Sequence, residues 1–549
     1  MRLRLTSSNT VFLLIVAVLV IALLVGLYLS SVGAKPASQS ISLPTTATGS
    51  SGPGNLIERE NALLGTSAWQ IPVGKEATTQ IQAYASATSV TPDQRLTFYV
   101  STQTEGTPYA MSIYRLGWYG GLGGRLVVSQ ANLLGHAQGY YDRSHQLLVG
   151  CNSCHINTPT GLVEANWQPS YTLNVPSDWV TGVYLAKFID ANGFQTYTPF
   201  DVRGNRGSHY VVVTSDTTYA AYNEWGGYSL YHSSNLETNE PPRAVKVSFD
   251  RPYTEGNGSG YLLAFEANAI HWLEHMGYDL SYLSSVDLHE NPGQLLRHKA
   301  YLSLGHDEYW TKEMRDGVEN ARDHGVGLAF LGADASYWQM RFEPDSAGIK
   351  DRTIVCYKVQ TVHNNLTHDP LYGKDNSRVT TQWRDPLLNR PENALIGIMY
   401  SSFENVKNGF PWQMSPQVQS PLLDGTGLQP GQQYGCGLVG YEWDRVFNNG
   451  ATPAGLQVLG TSYTVDYNNK PDISNTTYYI APSGALVFAT GSIYWTAALD
   501  SYRPSVDKAC GGQNPVVLGM QELMLHVMHE LVIHHSSQQL TWTATNAGV

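Results

Sequence analysis

Gly305-His306-Asp307-Glu308-Tyr309-Trp310 places an imidazole and two carboxylates where an apolar run ends and a helix-like run begins. Ala300 to Leu304 reads as a buried strand, and Thr311 to Gly325 as a helix with Thr311 as its N-cap. The trio would then stand at the carboxyl end of a strand, where open parallel sheets bind ligands and an incoming helix N-terminus favours anions. A capped, solvated turn is the bland alternative, since short polar motifs recur by chance. A second polar cluster, Tyr219 to Tyr228, follows the apolar strand Tyr210 to Thr214 in the same manner, so both would open on one sheet edge. A third, Phe249-Asp250-Arg251-Pro252-Tyr253, precedes the glycine-rich segment 255–260, whose glycines permit a close backbone approach or a moving loop. Tyr222, Tyr253 and Glu308 could converge there.

Three chemistries compete for that edge. Thiol hydrolysis needs a cysteine at the elbow, and none is present. Glycoside hydrolysis needs two carboxyl groups about 5 to 9.5 Å apart. Asp307 and Glu308 are too close in sequence to share those roles, so Asp334 or Glu442 would have to be the partner. The third chemistry is a metal held by oxygen donors, where phenolates and a carboxylate suit a ferric ion acting as Lewis acid. Histidine ligation is the other metal reading, with His526 and His529 on one helical face and His534 and His535 close by. Without an H-E-x-x-H arrangement, a half-buried helix is the simpler account.

The elements that must position these groups follow from the pattern of apolar residues. Residues 55–205 offer short alternating runs separated by turn residues, the pattern of a β-sandwich, with Tyr114 to Gly121 as the most unusual loop. Residues 206–536 alternate strand with helix: Tyr210 to Thr214, Ala264 to Met276, Ala300 to Leu304, Thr311 to Gly325, Val326 to Leu331, Ala485 to Thr490 and Val517 to Ile533. That alternation predicts an α/β domain, a parallel sheet with helices on both faces, interrupted by a β- and loop-rich insertion at about 340–480. A polar tail occupies 537–549.

With 549 residues, 42% of them hydrophobic and 14% charged, the chain is a core-forming, multi-domain protein. A net charge of -12 excludes nucleic acid as a natural partner and favours an uncharged or cationic small molecule. Val11 to Tyr28 is an apolar run long enough for a bilayer core of roughly 30 Å, preceded by Arg2 and Arg4. It predicts a signal anchor within residues 1–34 that places the body outside the cytoplasm, or a cleaved signal peptide in a secreted protein. Residues 35–54, rich in Ser, Thr, Gly and Pro, read as a flexible stalk. Five cysteines (Cys151, Cys154, Cys356, Cys436 and Cys510) allow one or two disulfides and no more. Cys151 to His155 matches the c-type haem attachment pattern, but its single copy in a loop fits a local disulfide better. Asn257, Asn365 and Asn475 begin glycosylation sequons. Exposed aromatic loops at Trp118-Tyr119 and Trp225 to Tyr228 would suit a carbohydrate-binding or glycosidic surface protein, the main alternative to an enzyme built on metal.

From about Glu60 to Leu525 the chain resembles the N,N-dimethylformamidase large-subunit-like family. The resemblance rests on Tyr222 to Tyr228, Ser248 to Tyr253, Gly305 to Trp310, and Gly440-Tyr441-Glu442-Trp443-Asp444. It implies a β-sandwich followed by a glutamine-amidotransferase-like α/β domain, and a mononuclear iron, held by two tyrosines and a glutamate, that hydrolyses a small tertiary amide. Carried over by motif, Glu308, Tyr222 and Tyr253 become the ligands, with Tyr219 or Tyr228 as substitutes for the phenolates, while His306, Glu442 and Asp307 become the acid and base candidates. The implied partner is a small amide substrate, with the membrane reached through the N-terminal helix.

Overall fold

The computed structural model describes residues 54–204, 206–232, 243–363, 369–404, 409–502, 510, 515–536 and 540. Its organising element is a seven-stranded sheet in the order Leu280–Ser284, Tyr210–Thr214, Ala300–His306, Gly327–Ala333, Leu486–Ala489, Pro471–Ile480, Gln457–Val465. The first five strands run parallel and the last two antiparallel. Side chains alternate across a strand, so each strand feeds two cores. Tyr210, Val212, Leu302, Leu304, Ala329 and Leu331 point to one core, and Val211, Val213, Tyr301, Leu328 and Phe330 to the other. Burial on both faces explains why these strands read as continuous apolar runs. Helices Ala267–His275 and Leu518–Leu531 cover the first face, and Lys312–Asp323 covers the second through Met314, Val318 and Ala321.

The α/β, glutamine-amidotransferase-like expectation is corrected by the rest of the chain. Strand accounts for 35% of the structure and helix for 19%, spread over eight sheets among the described residues. The region 340–480, expected as an insertion, supplies the two antiparallel strands of the central sheet along with small ladders such as Met399–Phe403 with Glu442–Arg445. The physical reason is composition: 52 glycines and 27 prolines favour turns and short ladders over helices. The apolar run Val11 to Tyr28, the stalk up to 53, the Asn365 sequon and nearly all of the polar tail lie outside the described residues. Among the described residues no helix is long and apolar enough to cross a membrane.

Between Ile81 and Val202 a three-stranded and a five-stranded sheet face each other across Phe98, Phe188 and Phe200. Beside further contacts such as Arg203 to Asp287 at 2.7 Å, this region is linked to helix Ala267–His275 on the central sheet by a buried ion pair, Arg115 to Glu274 at 2.8 Å. The unusual Tyr114 to Gly121 loop is its housing. Arg115 donates to Thr181 O at 2.8 Å, Leu116 O at 3.1 Å and Tyr119 Oη at 3.0 Å, and Glu274 accepts from Tyr282 Oη at 2.9 Å. Glu274 lies on helix Ala267–His275, which continues from a π-turn, Leu262–Glu266, at the edge of the candidate site. Removing one partner of a buried pair strands the other charge, so Arg115→Ala should lower unfolding stability by about 3 to 5 kcal/mol. Denaturant titration checks this, and a loss below about 1 kcal/mol would show that the pair does not fasten the two regions.

Candidate active site

His306 ends the Ala300–His306 strand, one residue past Gly305, which has φ +61° and whose added Cβ would lie 2.8 Å from Phe265 O. Only glycine fits that approach, so the strand can lie against the π-turn and deliver His306 to a closed pocket. Thr311 caps the next helix, its Oγ1 accepting from Met314 N at 3.1 Å, and Thr218 Oγ1 accepts from Glu308 N at 3.0 Å. Glu442 and Asp444 point to the same side of their strand. Glu442 reaches His306, and Asp444 Oδ1 accepts from Asp334 N at 2.8 Å, fixing the turn that brings Asp334 in.

Three carboxylates meet the imidazole. His306 Nε2 is 3.0 Å from Glu442 Oε2, 3.3 Å from Glu308 Oε2 and 3.7 Å from Asp334 Oδ2, and all four residues are buried. Tyr441 Oη lies 3.1 Å from the other ring nitrogen. These are ion-pair distances without hydrogen-bond alignment: His306 Nε2, Glu308 Oε2, Glu442 Oε2 and Asp334 Oδ1 are buried with no aligned partner among the described residues. Donor atoms of His306, Asp334 and Glu442 all lie within 4.8 Å of one another. Burial alone would lower the imidazole's pKa, but the Glu442 charge, then contacts with Asp334 and Glu308, raise it well above its ordinary value. Burial raises Glu308, yet His306, Lys358 and Tyr231 together bring it below the usual carboxylate value. Burial and the neighbouring Glu308 and Glu442 push Asp334 well up, and burial raises Glu442 despite His306. Burial and mutual repulsion thus oppose ionising all three carboxyl groups around one ring, while the imidazole favours the charge on Glu308.

Phenols form the remaining wall. Tyr231 Oη donates to Glu308 Oε1 at 2.5 Å and accepts from Tyr309 Oη at 2.7 Å. The Tyr222 ring stacks on Tyr231 at 4.4 Å and lies 5.4 Å from both His306 and Tyr261, measured between centroids. Tyr253, expected beside Glu308, is placed elsewhere. It packs edge-on to Tyr219 at 6.1 Å and lines a small cavity with Tyr84, Asp216 and Arg251. Asp307 is also turned away: its Oδ2 accepts from Ser303 Oγ at 2.8 Å, on the side of Tyr301, opposite His306. The C-terminal histidines are engaged individually, His526 with Leu422 O and His529 with Glu530. Cys151 is bonded to Cys154, which removes the thiols that haem attachment requires, and Cys436 is bonded to Cys510. Asn475 is buried at 4% exposure and closed to glycosylation. The aromatic loops are internal: Trp225 and Tyr228 are buried and Trp118 stacks on His275 at 4.3 Å, so neither offers a sugar platform.

Residues that sequence reasoning did not assign complete the site. Tyr261 follows directly on the glycine-rich segment, and Tyr231 and Tyr441 are single tyrosines among 34. Lys358, 7% exposed, lies with Nζ 3.3 Å from the Tyr231 ring centroid, 5.0 Å from Trp338 and 5.5 Å from Tyr309.

A buried cluster in which an imidazole, three acids and a set of phenols meet at strand ends has the groups that proton transfer or the binding of a cation would need. The chain belongs to the family described as N,N-dimethylformamidase beta subunit-like, C-terminal, whose model matches residues 110–510. It is 25% identical over 416 residues to the N,N-dimethylformamidase beta subunit of Alcaligenes sp, covering 63% of this chain and 54% of that protein. It is 24% identical over 405 residues to that of Paracoccus aminophilus, covering 62% and 52%. The chain thus spans about half the length of the curated relatives it matches.

Burial lowers the Lys358 ammonium from its ordinary range to about 7. Its folded-state pKa lies below the unfolded value, so its contribution to stability is complete above about pH 10 and is lost as pH falls toward 7. Lys358→Met should therefore flatten the pH dependence of stability between those limits, by about 2 to 4 kcal/mol in urea titrations at pH 7 and 10. Parallel curves for the two proteins would show that the ammonium is not desolvated.

Proposed function

We propose that this protein hydrolyses the carbon–nitrogen bond of small amides. The observation that carries this reading is the meeting of His306 with Glu308, Asp334 and Glu442 through buried atoms that lack aligned hydrogen bonds. The family relationship and the names of the curated relatives support it. Oxygen donors dominate the pocket, and a surplus of buried carboxylate is a fit for a hard, highly charged cation. Glu308 with the phenols of Tyr222 and Tyr261 are the residues that would hold a ferric ion. Tyr261 replaces Tyr253 in that role because it lies within a ring's breadth of Tyr222 and His306. Such an ion would supply Lewis acidity toward the amide carbonyl.

The chain's own residues account for the proton movements. Glu442, 3.0 Å from His306 Nε2, is suited in its carboxylate form to accept a proton from the attacking water, because burial raises its basicity. His306 Nε2, 3.0 Å from Glu442, holds the proton that the departing nitrogen requires. Water adds to the carbonyl carbon, the carbon–nitrogen bond breaks, and a carboxylic acid and an amine leave. Lys358 and the stacked tyrosines keep water from the Glu308 side. The apolar run Val11 to Tyr28 would hold this body outside the cytoplasm, a placement that the two disulfides support.

The test is purified full-length protein assayed for iron, for a visible tyrosinate absorption band and for dimethylamine release from N,N-dimethylformamide. Wild type should carry close to one iron per chain, and Glu308→Gln should lose the metal, the band and at least about a hundredfold in kcat/KM while keeping its melting temperature. Full iron content and turnover in Glu308→Gln would overturn the ligand assignment.

A further inference from the structure

A cavity of about 430 Å³ lies beside the site, between the N-terminal sheets and the loops that carry Trp225 and Tyr253. That volume falls in the range of small-molecule pockets. Its walls include Tyr141, Trp225, Tyr253, Thr254, Thr78 and Arg143, a mixture of aromatic faces and hydroxyls with few apolar side chains. Arg143, on the turn after Tyr141, reaches across to the other half, its Nη2 2.9 Å from Glu255 Oε1 and 3.4 Å from Glu224 Oε2. Glu224 is two residues from Tyr222 and its N–H donates at 3.3 Å to Oγ1 of Thr254, which lines the cavity, while Gly258, also on the cavity wall, is three residues before Tyr261. The cavity therefore adjoins the phenol wall of the site, and the clamp of Arg143 on two carboxylates stands at that junction.

We propose that this cavity is the route by which substrate reaches Tyr222 and Tyr261, and that Arg143, held between Glu224 and Glu255, is the specificity-determining residue that admits uncharged amides and turns away anions. This deepens the amide-hydrolase reading and rests on it. A guanidinium already paired with two carboxylates has little left to offer an incoming anion. Glu76 and Asp142, which line the same cavity, add further negative charge. An uncharged amide meets no such field, and its alkyl groups can lie against Tyr141, Trp225 and Tyr253. The same field assists departure of the carboxylate product, which is repelled along the route the neutral substrate entered.

Two variants and a readout independent of turnover test the proposal. Thr78 is exposed on the cavity wall, so Thr78→Trp can fill the cavity without disturbing a core. Saturation-transfer NMR on the full-length protein, with N,N-dimethylacetamide as neutral probe and N-acetylglycine as anionic probe, reads binding directly. Dimethylacetamide should bind wild type and be lost in Thr78→Trp, where KM for N,N-dimethylformamide should rise at least about tenfold with kcat little changed. N-acetylglycine should show no binding to wild type and should begin to bind when Glu224→Gln and Glu255→Gln together free the Arg143 fork. Unchanged amide binding and KM in Thr78→Trp, or anion binding to wild type equal to that of the amide, would overturn the proposal. Amide binding lost in Thr78→Trp in a protein that hydrolyses no amide would sink the hydrolase reading and leave the cavity assignment standing. Hydrolysis that runs as well in Thr78→Trp as in wild type would do the reverse.

Discussion

One imidazole facing three buried carboxyl groups is the constraint around which this structure is built. Each ionised carboxylate withdrawn from water costs several kcal/mol unless it is paired, and a single imidazolium can neutralise one of them. Glu308, Asp334 and Glu442 therefore cannot all be charged around His306, and the pocket has to retain protons or hold an added cation. Burial and mutual repulsion favour proton retention at Asp334 and Glu442, while His306 favours the charged form of Glu308. The same deficit is what makes the pocket chemically useful. A carboxylate made more basic by burial can take a proton, and an imidazole held charged can give one.

Such a cluster repels itself, so the surrounding fold must hold it together. Gly305 lets the central strand press on the π-turn, the two-residue alternation of Glu442 and Asp444 brings in one acid while securing the loop of another, and Thr311 starts a helix immediately behind Glu308. The Arg115 to Glu274 pair lies on the far end of the helix that continues from the π-turn. Fastening that helix to the N-terminal sheets fixes the π-turn and Tyr261 at its start. The two facing sheets thus serve the site as a wall and an anchor, although they contribute none of its acids.

Local pattern carried part of this and long-range pairing the rest. The strands Tyr210–Thr214 and Ala300–His306, the Thr311 cap and the helix Leu518–Leu531 were legible because apolar runs, turn residues and a capping hydroxyl are encoded within a few positions. The fold class was not, because short ladders separated by glycine-rich turns leave no period from which to count sheets, and Gln457–Val465 joins the central sheet only through its hairpin partner. Among site residues, His306, Glu308 and Glu442 were readable from charge set at strand ends. Tyr253 and Asp307 were misplaced for specific reasons. Tyr253 packs against Tyr219 instead, and a one-residue change of face turns Asp307 toward Ser303. Lys358 left no signal, since a lone lysine in a loop-rich segment becomes notable only when three aromatic rings close over it.

The relation to the curated dimethylformamidase beta subunits bears on this in a particular way. Every residue of the cluster, from Tyr222 through Glu442, falls within the matched residues 110–510, so the family similarity spans the whole site and not one motif of it. Asp334 and Glu442, acids that are costly to bury, are buried in this chain. A protein that had abandoned the chemistry could gain stability by replacing Asp334 or Glu442 with an apolar residue, because an unneeded buried acid is a net cost. Keeping both beside His306 is the physical ground for reading the pocket as a working site.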